Sequence, residues 1–101
     1  MEIYVSCKRD NYDFYNELNK YFQVEILEDD NNTMGIGEFK IFIEPISKAI
    51  ETLGNIITSI INVKRTSITV KNGDKEFTFE GNLSELNNGD VKEILEKLLE
   101  V

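Results

Sequence analysis

The stretch Glu38–Phe79, EFKIFIEPISKAIETLGNIITSIINVKRTSITVKNGDKEFTF, decides the fold. It reads as a short strand, one long apolar-faced helix and a tight hairpin. Pro45 suits the first helical position, where its missing N–H costs nothing. Ile46, Ala49, Ile50, Leu53, Ile56, Ile57, Ile60 and Ile61 then follow at steps of one, three or four, the spacing of a single buried stripe. Ser47, Lys48, Glu51, Thr52, Asn55, Ser59 and Asn62 occupy the other side. That side is neutral rather than basic, which argues against a helix lying on an anionic membrane. Each buried isoleucine contributes roughly 1.5–3 kcal/mol, so this helix is expected to be the chief source of stability.

The hairpin runs from Thr66 to Glu80. Asn72-Gly73 is a favoured centre for a two-residue type I′ turn, because both positions need positive φ. With that centre Lys71 faces Asp74, Val70 faces Lys75, Ile68 faces Phe77 and Thr66 faces Phe79. Ile68, Val70, Phe77 and Phe79 then share one side, and Thr69, Glu76 and Thr78 the other. A slip of one residue would scatter the apolar set over both faces. Upstream, Phe39, Ile41 and Ile43 lie on one side of their strand and Lys40 and Phe42 on the other. With Phe42 also apolar, this strand is expected to be covered on both sides or to lie at a subunit contact.

Outward from this block, Met1–Ser6 reads as a strand with Ile3 and Val5 on one face. Asp10 or Asn11 can cap a helix in which Phe14, Leu18, Tyr21 and Phe22 form the apolar face. Tyr12 and Tyr15 add to its aromatic character, and packing on a sheet explains the group better than a ligand-stacking platform. Gln23–Glu28 returns to strand character, and Asp29-Asp30-Asn31-Asn32-Thr33 is turn-like. Gly35 and Gly37 give a flexible entry to the next strand. After a polar connection anchored by Leu83 and Leu86, Asp90 with Glu93 forms a capping pair for a last helix. Val91, Ile94, Leu95, Leu98 and Leu99 supply its stripe, and Glu93 and Lys97 can pair at i,i+4.

The order is β-α-β-β-α-β-β-α. It predicts one α+β domain over residues 1–101, a two-layer sandwich. Its core is a ferredoxin-like β-α-β-β-α-β unit, extended by a hairpin strand and a C-terminal helix. Among 101 residues, 41% are hydrophobic and 30% charged, an ordinary balance for a globular chain. Asp and Glu outnumber Lys and Arg by 19 to 11, a formal net charge of −8. Direct nucleic-acid binding is disfavoured, since that affinity comes from Lys and Arg neutralising phosphates. The single Cys7 forms no internal disulfide and reads as an inert strand-end residue, for its two basic neighbours are weak activation. No signal-peptide pattern and no apolar run of membrane-spanning length is present, so a cytoplasmic location is the default expectation.

Chemistry has little to build on. There is no histidine, which removes Ser-His-Asp and Cys-His catalysis in their usual forms. Gly35-Ile36-Gly37 is too short for a dinucleotide fingerprint. Glu25, Glu28, Asp29 and Asp30 are the best candidates for a hard cation, but they lack the calcium-loop pattern. A solvated acidic turn is the favoured explanation. No enzyme activity, cofactor or metal is expected.

Met34-Gly35, the strand Phe39–Ile43, the hydrophobic helix, the basic pair Lys64-Arg65 and the hairpin Ser67–Phe79 carry a family likeness. In that order they resemble the effector-associated constant component family of bacterial conflict systems. The likeness covers most of the chain through short motifs. It departs from the family in having no tryptophan and an isoleucine-rich central helix. The resemblance implies a small non-catalytic accessory module working beside a separate effector in bacterial immunity.

The expected function is therefore a non-enzymatic protein–protein interaction module. Its candidate surface comprises the acidic turn Glu28, Asp29 and Asp30, the strand residues Phe39 and Phe42, and the terminal Leu98 and Leu99. Those leucines and Val101 suit packing on the sheet or on a second copy, which would make a homodimer. The alternative is an acidic inhibitor, of the kind phages encode against host defences, occupying the basic groove of a nucleic-acid-binding enzyme.

Overall fold

The computed structural model describes residues 1–8, 12–27, 36–81 and 86–99, and for Lys8, Tyr12 and Ile36 the backbone only. The elements are β1 (Glu2–Lys8), α1 (Tyr12–Tyr21), β2 (Gln23–Leu27), β3 (Ile36–Phe42), α2 (Ile46–Lys64), β4 (Ser67–Asn72), β5 (Lys75–Glu80) and α3 (Asn88–Leu98). The expected order of elements is the observed one. Five strands form one antiparallel sheet in the order β2-β3-β1-β4-β5, and with the three helices they make an α+β domain. No described helix is long and apolar enough to cross a membrane.

Residues directly opposite each other in an antiparallel ladder share a face. One face reads Ile26–Phe39–Val5–Val70–Phe77 across all five strands, flanked by Val24–Ile41–Ile3 and by Cys7–Ile68–Phe79. The helices cover the middle of this face and leave Ile26 and Phe77 on the edge strands exposed. Within it Ile3, Val5, Cys7, Phe39, Ile41, Ile68, Val70 and Phe79 are buried in one cluster with Phe14 and Leu18 of α1 and with the stripe of α2. Cys7 is thus a core side chain. The other face reads Glu25–Lys40–Tyr4–Lys71–Glu76 and Leu27–Glu38–Ser6–Thr69–Thr78. Such a half-covered sheet alternates apolar inside with polar outside.

Helix α2 buries Ala49, Ile50, Leu53, Ile56, Ile57, Ile60 and Ile61 of the stripe its spacing predicts, with Gly54 beside them, and leaves Ile46 partly buried. Pro45 stands one position earlier than expected, at the N-cap. At the other end Arg65 takes a left-handed conformation (φ 55°), its N–H donating to the Ile61 carbonyl at 2.8 Å. That αL ending satisfies a carbonyl the helix would leave orphaned. The Asn62 side chain ties the helix to the chain preceding α3. Its amide donates to the Leu86 carbonyl at 3.1 Å and its carbonyl accepts from the Leu86 N–H at 2.7 Å.

Four expectations about detail are corrected. The hairpin turns on Gly73-Asp74, not Asn72-Gly73, so Asn72 pairs Lys75, Val70 pairs Phe77 and Ile68 pairs Phe79. Gly73 has φ +62° and Asp74 is not at positive φ, the pattern of a Gly-X turn. Asn72 stays in the strand because its side-chain amide donates to the Leu98 carbonyl at 3.0 Å, at the end of α3. Phe39–Ile43 is not covered on both sides within the chain, since Phe42 emerges on the open face. Tyr21, placed in the apolar face of α1, is exposed as the last residue of that helix. The candidate caps Asp10 and Asn11 and the anchor Leu83 lie outside the described residues.

The fourth correction concerns α3. Asn87, rather than Asp90, caps the helix, its side-chain oxygen accepting from the N–H groups of Gly89 (2.8 Å) and Asp90 (3.3 Å). Asn87→Ala is expected to destabilise the protein by about 1 kcal/mol. Asp90→Ala removes only a favourable charge in the first turn, worth about 0.3–1 kcal/mol. Urea titration of both variants checks the order; a costlier Asp90→Ala would return the cap to Asp90.

Candidate interaction surface

Strand β3 sets the site by alternation. Its odd-numbered apolar residues Phe39 and Ile41 turn under the helices, and this sends Glu38, Lys40 and Phe42 to the open face. Phe42 lies between Glu2 of β1 and Gln23 of β2, its direct partners on either side. Two residues back, Lys40 lies between Tyr4 and Glu25. The Lys40 ammonium reaches the Glu25 carboxylate at 2.9 Å and that of Glu2 at 3.9 Å. Its pKa is raised, first by the hydrogen bond to Glu25, then by the negative charges of Glu2 and Glu25. Lys40 therefore carries a full charge at neutral pH, and Glu25 takes the larger share of it.

Phe42 is 42% exposed and lines two depressions. On the sheet side the lining is Glu2, Gln23, Val24, Glu25 and Lys40. On the helix side it includes Tyr21, Phe22, Glu44, Pro45 and Lys48. Tyr21 and Lys20 also border a groove between α1 and α2, floored by Ile56 and Ile60 and edged by Val63. One ion pair crosses that groove, Lys64–Asp13 at 3.1 Å, and Lys20 pairs with Glu17 along α1 at 2.9 Å. The Lys20 pKa is raised, chiefly by its hydrogen bond to Glu17.

Of the residues expected to form the surface, Phe42 alone is found there among those described. Phe39 is 8% exposed, its ring packed edge-on to Phe14 (6.4 Å between centroids) and against Tyr15 (5.6 Å). Leu98 and Leu99 close the core at the end of α3. All three are taken up by the chain's own packing and are unavailable to a partner. Glu28, Asp29 and Asp30 lie outside the described residues. The exposed apolar residues Tyr21, Ile26, Val63 and Phe77 were not singled out by sequence as a surface. Only Val63 carried a signal: it falls outside the stripe of α2.

Among the described residues no three His, Cys, Asp or Glu side chains gather as a metal ion would require. No protein-family model, no curated protein and no solved structure matches the chain.

Proposed function

We propose that this protein is a cytoplasmic, non-enzymatic interaction module. It works as an accessory component beside an effector in a prokaryotic defence system and binds its partner through the surface around Phe42. The observation that carries this reading is a phenylalanine left 42% exposed on the largely polar open face of the sheet. The fold leaves much of this ring uncovered, and covering its remaining surface would contribute roughly 1–2 kcal/mol to a complex. Tyr21, which shares the helix-side depression with Phe42, is the second apolar contact. Exposed aromatics of this kind are the usual anchors of protein interfaces.

The architecture in this reading is a ferredoxin-like core. The succession β2-β3-β1-β4 with helices on one face supports it, with β5 added outside β4 and α3 packed beside α2. The open face of such a sheet is a rigid platform, so a partner pays little ordering cost to meet it.

The test is to immobilise the protein and pass over it the products of the genes that flank its own. One of them is expected to bind. Phe42→Glu is expected to weaken that complex at least tenfold, about 1.4 kcal/mol, while the free protein, though somewhat destabilised by a carboxylate opposite Glu2, still folds and unfolds cooperatively. Failure of every neighbour to bind, or binding indifferent to Phe42→Glu, would overturn the proposal. The formal charge of −8 supports a second reading, the acidic inhibitor. Binding to a nucleic-acid-binding enzyme that collapses with added salt and ignores Phe42 would favour it.

A further inference from the structure

We infer that the sheet side of Phe42 is a seat for an arginine side chain of the partner protein. This deepens the interaction reading and rests on it. The seat combines three elements: an exposed aromatic ring, a carboxylate with spare accepting capacity, and an amide. The ring is Phe42, with Glu2 and Gln23 directly beside it in the ladder. The carboxylate is Glu2. Lys40 sits 2.9 Å from Glu25 but 3.9 Å from Glu2, so its hydrogen bond goes to Glu25 and leaves Glu2 only a loose charge contact. An ionised carboxylate offers about four lone-pair sites, and Glu2 and Glu25 are both more than half exposed.

Charge selects the occupant. Two carboxylates against one ammonium leave this depression net negative, as is the whole chain. An anionic group would be repelled, and an apolar one would desolvate Glu2 with nothing in return. A cation gains twice, from the ring face and from the carboxylate. Guanidinium suits both at once, because it is planar, stacks on an aromatic ring and presents a fork to a carboxylate. The Gln23 side-chain carbonyl can take a remaining N–H. The compact, strongly hydrated ammonium of lysine stacks less well.

The probe is a blocked Gly-Arg-Gly peptide, titrated into the isotope-labelled protein and followed by NMR. Lysine and citrulline versions serve as controls. Shifts are expected at the Phe42 ring, the Gln23 side-chain amide and Lys40. The arginine peptide should bind roughly threefold or more tighter than the lysine peptide, and the citrulline peptide should leave the spectrum unchanged. Phe42→Leu, which keeps apolar bulk and removes the ring, and Glu2→Gln should each abolish the response. Equal responses to arginine and citrulline, shifts centred elsewhere, or no response at all would overturn the inference. A partner complex weakened by Phe42→Glu but indifferent to Glu2→Gln would overturn it too, while leaving the interaction reading in place. Indifference to Phe42→Glu would remove both.

Discussion

Phe79→Ala is expected to lower the unfolding free energy by about 3–5 kcal/mol, and Phe77→Ala by about 1 kcal/mol or less. The two rings sit on the same strand and the same face, with centroids 4.9 Å apart. Their surroundings differ. Phe79 pairs with Ile68 beneath the helices and is 2% exposed, whereas Phe77 pairs with Val70 toward the hairpin tip and is 39% exposed. Truncating the first opens a cavity that fixed neighbours cannot fill; truncating the second opens onto water. Domains of this size are stable by only about 5–15 kcal/mol, so Phe79→Ala should shift the guanidinium midpoint far to lower concentration. Equal losses at the two positions would mean the register is wrong. The alternative centre on Asn72-Gly73 would put Phe77 against Ile68 and make it the costlier residue.

Gly81→Ala is the second large effect, expected at about 1–3 kcal/mol of destabilisation. The chain leaves β5 at Gly81 and passes directly over the last turn of α2. A Cβ at Gly81 would overlap Cγ2 of Ile61 and stand 3.2 Å from the Ile61 carbonyl oxygen. That side chain cannot step aside, since a β-branched residue in a helix has essentially one rotamer. Nor can the carbonyl, which accepts the capping N–H of Arg65 while an Arg65 guanidinium nitrogen donates back to the Gly81 carbonyl at 3.3 Å. Removing the obstructing methyl should relieve the strain. The Gly81→Ala, Ile61→Ala double variant should therefore be more stable than the sum of the two single losses allows. Chemical denaturation of the four proteins checks this, and a Gly81→Ala variant within about 0.5 kcal/mol of the parent would show that the joint yields.

These two positions mark where reading residues in order stops being enough. The stripe of α2 was legible because helical period and burial are tied by geometry: seven of the eight stripe residues, Ala49 to Ile61, are buried, and Ile46 is partly so. The faces of the hairpin were legible for the same reason, since alternation settles which side a strand residue takes. Its register was not. Moving the turn from Asn72-Gly73 to Gly73-Asp74 shifts every pairing by two, which leaves each face intact and is invisible to alternation. The bond from Asn72 to the Leu98 carbonyl breaks that tie, and it joins residues 26 apart in sequence.

The start of α3 repeats the lesson. Asn87 and Asp90 are both good caps, and the choice between them lies in contacts with α2. There the Asn88 amide reaches the Asn55 side chain at 2.6 Å, and Lys92 lies over Gly54. The candidate surface was legible only in part. Phe39 and Phe42 are the same residue type in one strand, and alternation says that they oppose each other. Which of them is covered depends on where the helices lie.

By itself, then, the sequence determined the order of elements, the apolar faces and the net charge, because each follows from local spacing or from composition. The tertiary structure alone decided the register of the hairpin, the cap of α3 and the exposure of Phe42. Each of those is a choice among locally equivalent options, and contacts between residues distant in the chain make it.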